Sequence, residues 1–143
     1  MLLVEDNPDH AELALLTLRD CRPDDQVTVV HDGAEALDYL FARSAHAGRS
    51  PAELPDLILL DLKLPKVDGL DVLDAIRANA RTKTIPVVVL TSSAEERDLV
   101  ESYRRGANSY VRKPVTFDGL AYCLRQIQTY WTTVNWSRCA EWT

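Results

Sequence analysis

Five times along the chain, a short apolar run gives way to a longer stretch in which apolar residues recur every three or four positions. The short runs are too brief for helices and read as strands buried on both faces, while the longer stretches read as amphipathic helices. The predicted strands are residues 1–5 (MLLVE), 26–31 (QVTVVH), 56–61 (DLILLD), 85–90 (IPVVVL) and 109–113 (SYVRK). The predicted helices cover 8–21, 33–43, 69–79, 93–105 and 117–134. Pro8 falls in a first turn, where its missing N–H is no loss, Asp68 and Gly69 open the third helix, and Gly106 stops the fourth. Ser93 with Glu96 three residues on has the form of a capping box for the fourth helix, which leaves Thr91 free. Residues 45–55 make a loop longer than such connections usually are.

Alternating strands and helices imply right-handed crossovers and a parallel sheet covered on both faces. The pattern predicts an α/β, flavodoxin-like, doubly wound domain with five helices and strand order 2-1-3-4-5. In that order a crevice opens between strands 1 and 3 at their carboxyl ends.

Composition narrows the function. With 143 residues, 46% of them hydrophobic, the chain is long enough for one domain with a full core. A formal charge of −6, and no basic stripe, argue against a nucleic-acid grip. No apolar run approaches the roughly 18 residues of a membrane span, and the acid so early in "MLLVEDN" argues against a signal peptide. Cys21, Cys123 and Cys139 match neither a disulfide framework nor a zinc pattern, and read as reduced thiols of a cytoplasmic protein.

Chemistry collects where the fold says it should. Strand 1 runs into Glu5 and Asp6, strand 3 into Asp61, strand 4 into Thr91 and strand 5 into Lys113. Singly, each has an ordinary role as a helix cap, a solvated loop residue or a surface cation. Together they put three carboxylates in one crevice, which must take up protons or recruit a cation. Oxygen donors with no His or Cys expected nearby suit a hard divalent ion, and magnesium fits best because it binds few carboxylates and favours phosphate. A carboxylate can itself be the nucleophile that forms an aspartyl phosphate, with the metal and Lys113 offsetting the transferred charge.

The motifs "VEDN", "LILLDLKLPKVDG", "VVVLTSS" and "YVRKPV", in that order over nearly the whole chain, resemble the response-regulator receiver domain of two-component signalling. The resemblance implies that Asp61 accepts a phosphoryl group from the phosphohistidine of a sensor histidine kinase. Asp6, Asp61 and the main-chain carbonyl of Lys63 would ligate magnesium, with Glu5, which stands where many members have Asp, assisting. Thr91 would bind a phosphoryl oxygen, Lys113 would pair with the phosphoryl group, and Tyr110 would be the aromatic that moves inward with Thr91. Pro114 resembles the family's cis-proline, and Lys63 and Ser93 occupy variable places that resemble tuners of dephosphorylation. Such a protein is no enzyme beyond self-phosphorylation from small donors and self-dephosphorylation.

The expected organisation is a receiver over residues 1–132 and an aromatic tail over 133–143, with no output domain. Leu120, Leu124, Ile127, Trp131 and Val134 share one face of the last helix, and Tyr130, Trp131, Trp136 and Trp142 point to an interface. We expect a homodimer through helix 4, strand 5 and helix 5. The long second loop, the "VEDN" start and the "TYW" ending look most like the small single-domain regulators of bacterial phytochromes, which would make the upstream kinase a light sensor. Three rivals stand beside this reading. A haloacid-dehalogenase-type phosphatase would need an acid where Lys63 stands, and a nucleotide or flavin module would need a glycine-rich phosphate loop. A degenerate receiver acting as a docking module would not need the full set of acids, Thr and Lys.

Overall fold

The computed structural model describes residues 1–136. Strands β1 (Leu2–Val4), β2 (Thr28–Val30), β3 (Ile58–Leu60), β4 (Val87–Thr91) and β5 (Ser109–Arg112) form one parallel sheet in the order β2-β1-β3-β4-β5. Helices α1 (Pro8–Cys21), α2 (Gly33–Leu40), α3 (Gly69–Ala78), α4 (Glu96–Arg104) and α5 (Phe117–Thr129) follow the strands in turn. The crevice between β1 and β3 is therefore where the sequence pattern placed it.

The period of two along each strand sorts the core into two layers. Leu2, Val4, Ile58, Leu60, Val87 and Val89 face α2 and α3, where they meet Ala36, Leu40, Val72, Leu73 and Ile76. Leu3, Leu59, Val88 and Leu90 face the other way, onto Ala14 and Leu18 of α1 and Leu120, Leu124 and Ile127 of α5. Leu3 stands opposite Val29 and Leu59 in the ladder, so one register serves both faces. Arg77 of α3 ties this frame to the far turns. Its guanidinium donates to the carbonyls of Gly106, Lys83 and Ile85 and to Asn108 Oδ1 at 2.8–3.0 Å.

Element ends depart from the sequence pattern where local geometry overrides periodicity. Helix α2 stops at Leu40 rather than continuing to Arg43, because the chain turns into the left-handed region at Ala42 (φ 52°) and Ser44 (φ 51°). A single 3-10 turn, Ser44–His46, then lies within the long loop. Helix α4 starts at Glu96, with Glu95 as its N-cap, so Ser93 does not form the capping box; its hydroxyl is bonded elsewhere. Helix α5 ends at Thr129 and widens into a π-turn over Tyr130–Val134. Trp131 packs against the core layer of α1 and α5, whereas Val134 is exposed. Cys21 and Cys123 are free thiols, and both Cys139 and Trp142 lie outside the described residues.

Candidate functional site

Four strands end on the site, and each delivers one or two of its groups. Beyond β1, Glu5 is buried and Asp6 exposed. Asn7 follows as the N-cap of α1, its side chain accepting from the N–H groups of Asp9 and His10, so helix and acids leave the strand in a fixed direction. Beyond β3 stands Asp61, buried at 8% exposure. The first residue of α3, Gly69, crowds this turn: a Cβ there would lie 2.3 Å from the Asp61 carbonyl oxygen and 2.5 Å from Leu62 Cα. Only glycine lets α3 begin that close to the acid. Thr91 closes β4 fully buried, and Lys113 follows β5 almost fully buried.

Lys113 links two of the acids. Its ammonium donates to Glu5 Oε1 and, at 3.0 Å, to Asp61 Oδ2. The backbone N–H of Lys63 faces the other oxygen of Asp61, Oδ1, at a long 3.4 Å. Glu5, Asp6 and Asp61 each bring a carboxylate oxygen to within 4.8 Å of the others. That is the spacing of groups able to share one ion, and an all-carboxylate set suits a hard divalent cation. Burial drives the Glu5 carboxyl above its usual range, against the pull of Lys113, so this acid gains from further positive charge. Burial also works against the charge of Lys113, but the bond to Glu5 and the charge of Asp61 outweigh it and hold the ammonium above its ordinary pKa.

The structure brings Glu5, Asp6, Asp61, Lys113 and the Lys63 backbone together and sets Thr91 at the end of the neighbouring strand, with two adjustments to the sequence reading. The Lys113–Pro114 bond is trans, the lower-energy isomer of an X–Pro peptide, and Lys113 reaches the acids in that form. The mouth is also not free of histidine. His10, in the first turn of α1, places Nδ1 3.2 Å from Lys113 Nζ and packs its ring edge-on against Phe117. Burial, and then the Lys113 charge, push its pKa below the ordinary value. Tyr110, half-buried on β5, donates its hydroxyl to the Ser93 carbonyl at 3.3 Å, and Thr91 Oγ1 faces the Ser93 N–H at 3.4 Å. Both residues of the expected switch therefore meet the same backbone segment.

Comparison with known proteins agrees with this geometry. Residues 1–125 match the sequence profile of the response regulator receiver domain. The chain is 42% identical over 138 residues to the probable methanogenesis regulatory protein FilR2 of Methanothrix harundinacea, covering 96% of this chain and 85% of that one. It is 37% identical over 131 residues to the response regulator Rcp1 of Synechocystis sp., covering 92% and 87% of the two chains. The Mn2+-bound form of Rcp1 superposes with a TM-score of 0.89. The phosphorylated cyanobacterial phytochrome response regulator RcpA superposes with a TM-score of 0.90 at 37% identity, over 96% of each chain. The chain therefore belongs to the response regulator receiver family, the modules of two-component signalling that histidine kinases phosphorylate.

Proposed function

We propose that Asp61 is the phosphoacceptor, that magnesium is the metal, and that a sensor histidine kinase of the phytochrome class is the donor. The observation that carries this reading is the surroundings of one carboxylate. Asp61 holds Lys113 Nζ on one oxygen and the Lys63 N–H on the other, and two further acids stand within sharing distance of an ion. Glu5, Asp6, Asp61 and the Lys63 carbonyl hold the metal, which when bound offsets negative charge on the transferred group. In the transfer, an Asp61 oxygen forms a bond to phosphorus as the bond to the kinase imidazole nitrogen breaks, and that nitrogen keeps the electron pair. Lys113 pairs with a phosphoryl oxygen and Thr91 turns its hydroxyl to another. Tyr110 then moves into the space beside Thr91 and changes the α4–β5–α5 surface.

The chain is an acceptor rather than an enzyme, limited to self-phosphorylation from small donors and self-dephosphorylation. It works in the cytoplasm, where kinase and acceptor meet; among the described residues no helix is long and apolar enough to cross a membrane. Its output passes through a homodimer formed by the α4–β5–α5 face. The likeness to a cyanobacterial phytochrome regulator supports a light-sensing kinase upstream.

The test is intact mass after incubation with magnesium and acetyl phosphate. A single labile phosphoryl adduct is expected on the wild type and none on Asp61→Asn. An adduct persisting on folded Asp61→Asn would overturn the assignment.

A further inference from the structure

Asp98 is 6% exposed, yet nothing in the reaction above uses it. It lies in the first turn of α4, where an acid is favoured by the helix dipole and ordinarily faces water. Instead it accepts a hydrogen bond from Ser93 Oγ at 2.5 Å and pairs with Lys63 Nζ at 3.3 Å. Its two partners belong to the two loops that carry the site. Lys63 stands two residues after Asp61, with its N–H facing that carboxylate, and Ser93 stands two after Thr91, with its N–H facing that hydroxyl. A bridge from Lys63 through Asp98 to Ser93 thus spans the mouth between β3 and β4. The bond from Ser93 draws the Asp98 pKa below the carboxylate norm, against burial and with help from Lys63, so the pair is charged at neutral pH.

We propose that Asp98 is a positioning residue that holds Lys63 and Ser93 as a bar across the approach to Asp61, and that this bar limits how fast small molecules reach the acceptor. The proposal rests on Asp61 being the phosphoacceptor.

Displacement at phosphorus requires the attacking and leaving atoms to lie roughly in line. When acetyl phosphate phosphorylates Asp61, the acetate departs on the side away from the carboxylate. When the adduct hydrolyses, water enters on that same side. Its oxygen bonds to phosphorus as the Asp61 oxygen–phosphorus bond breaks, the carboxylate keeps that electron pair, and the water's protons leave with the inorganic phosphate or pass to solvent. A bar on that side slows both reactions, and opening it speeds both. A residue that merely supports the fold changes neither rate, and a residue that serves the metal lowers the forward rate.

The experiment measures both rates on Asp98→Asn, Lys63→Gln and the double variant, by intact mass in magnesium. Asn keeps the size of Asp98 and can still accept from Ser93, while removing the charge that holds Lys63. Lys63 is an exposed side chain, so its replacement opens the bar from the other end with the fold intact, and circular dichroism checks this for all three. Each single variant is expected to speed both adduct formation from acetyl phosphate and adduct loss, by about two- to fivefold, the scale of one partly exposed ion pair. The double variant is expected to be no faster than either single one. Unchanged rates in Asp98→Asn, acceleration in one direction only, or effects that multiply in the double variant would each overturn the bar. A wild type that takes no phosphoryl group at all would instead overturn the Asp61 assignment on which the bar depends.

Discussion

Three carboxylates converge on a crevice that holds one buried lysine, and that imbalance is the strongest physical demand any residues here make. Lys113 contacts Glu5 and Asp61, while Asp6 stays at the solvent edge. A cation that binds only the folded arrangement stabilises it by mass action, about 2.7 kcal/mol at a hundredfold excess over Kd. Magnesium is therefore expected to raise the melting temperature of the wild type and a chelator to reverse the gain. The gain should shrink in Asp61→Asn, and scanning calorimetry of both proteins with and without the ion reads it directly. An equal gain in both would mean that the ion binds elsewhere. At this scale the sequence was legible for the residues that end strands, because strand ends converge by topology alone. It was silent on His10 and Asp98. His10 reaches Lys113 from a helix whose rotation about its axis no motif fixes. Asp98 looked like any acid in a first helical turn, where the dipole favours one.

Among the elements, α2 shows how a cap ties stability to pH. Asp32 is its N-cap, accepting from the Glu35 N–H at 2.7 Å and pairing with Lys66 Nζ at 3.4 Å. Burial works against its charge, but the Glu35 N–H and Lys66 prevail and hold the carboxyl below its ordinary pKa of 3.8. A depressed folded-state pKa gives stability that is fully present above the unfolded value and lost as pH falls through the folded one. Asp32→Ala is therefore expected to lower stability near pH 7 by about 1 kcal/mol, the usual cost of a lost cap. Its deficit against the wild type should narrow below pH 4, as the wild-type cap takes up its proton. Urea unfolding of both proteins at neutral and acid pH checks this, and a constant deficit across that range would refute it. Gly33, next in the chain, could not carry a side chain here, since a Cβ would fall 1.9 Å from the Val67 carbonyl oxygen. The existence and order of these elements were readable because alternating runs of period 2 and period 3.6 dictate them. Their ends were not. Left-handed residues at Ala42 and Ser44 cut α2 short, and the Ser93–Asp98 bond took away the cap that spacing alone assigned to α4.

For the molecule as a whole, the remaining question is how a change beside Thr91 becomes a signal. Strand β5 is an edge of the sheet, so its outer backbone groups border α4 and α5 on a surface open to a partner. The exposed apolar and aromatic residues of the two helices include Leu99, Val100 and Tyr103 of α4 at 38%, 45% and 51% exposure, and Tyr122 of α5 at 60%. Tyr110 stands on β5, half-buried between the core and the Ser93 carbonyl, so a change beside Thr91 would be felt at the edge strand of this face. A standard interface needs roughly 800 Å² from each protomer, about a tenth of the 7880 Å² that this chain exposes. Trp131, which the sequence offered as an interface residue, is partly buried against the core layer of α1 and α5, so removing the chain from there onward would confound loss of a partner with loss of stability. A charge on α4 avoids that confusion. Val100→Asp is expected to leave the melting temperature and the Asp61 adduct unchanged and to shift the protein from dimer to monomer in light scattering. A dimer that survives Val100→Asp and a matching Tyr103→Glu would move the interface away from α4 and leave Tyr110 to signal by another surface.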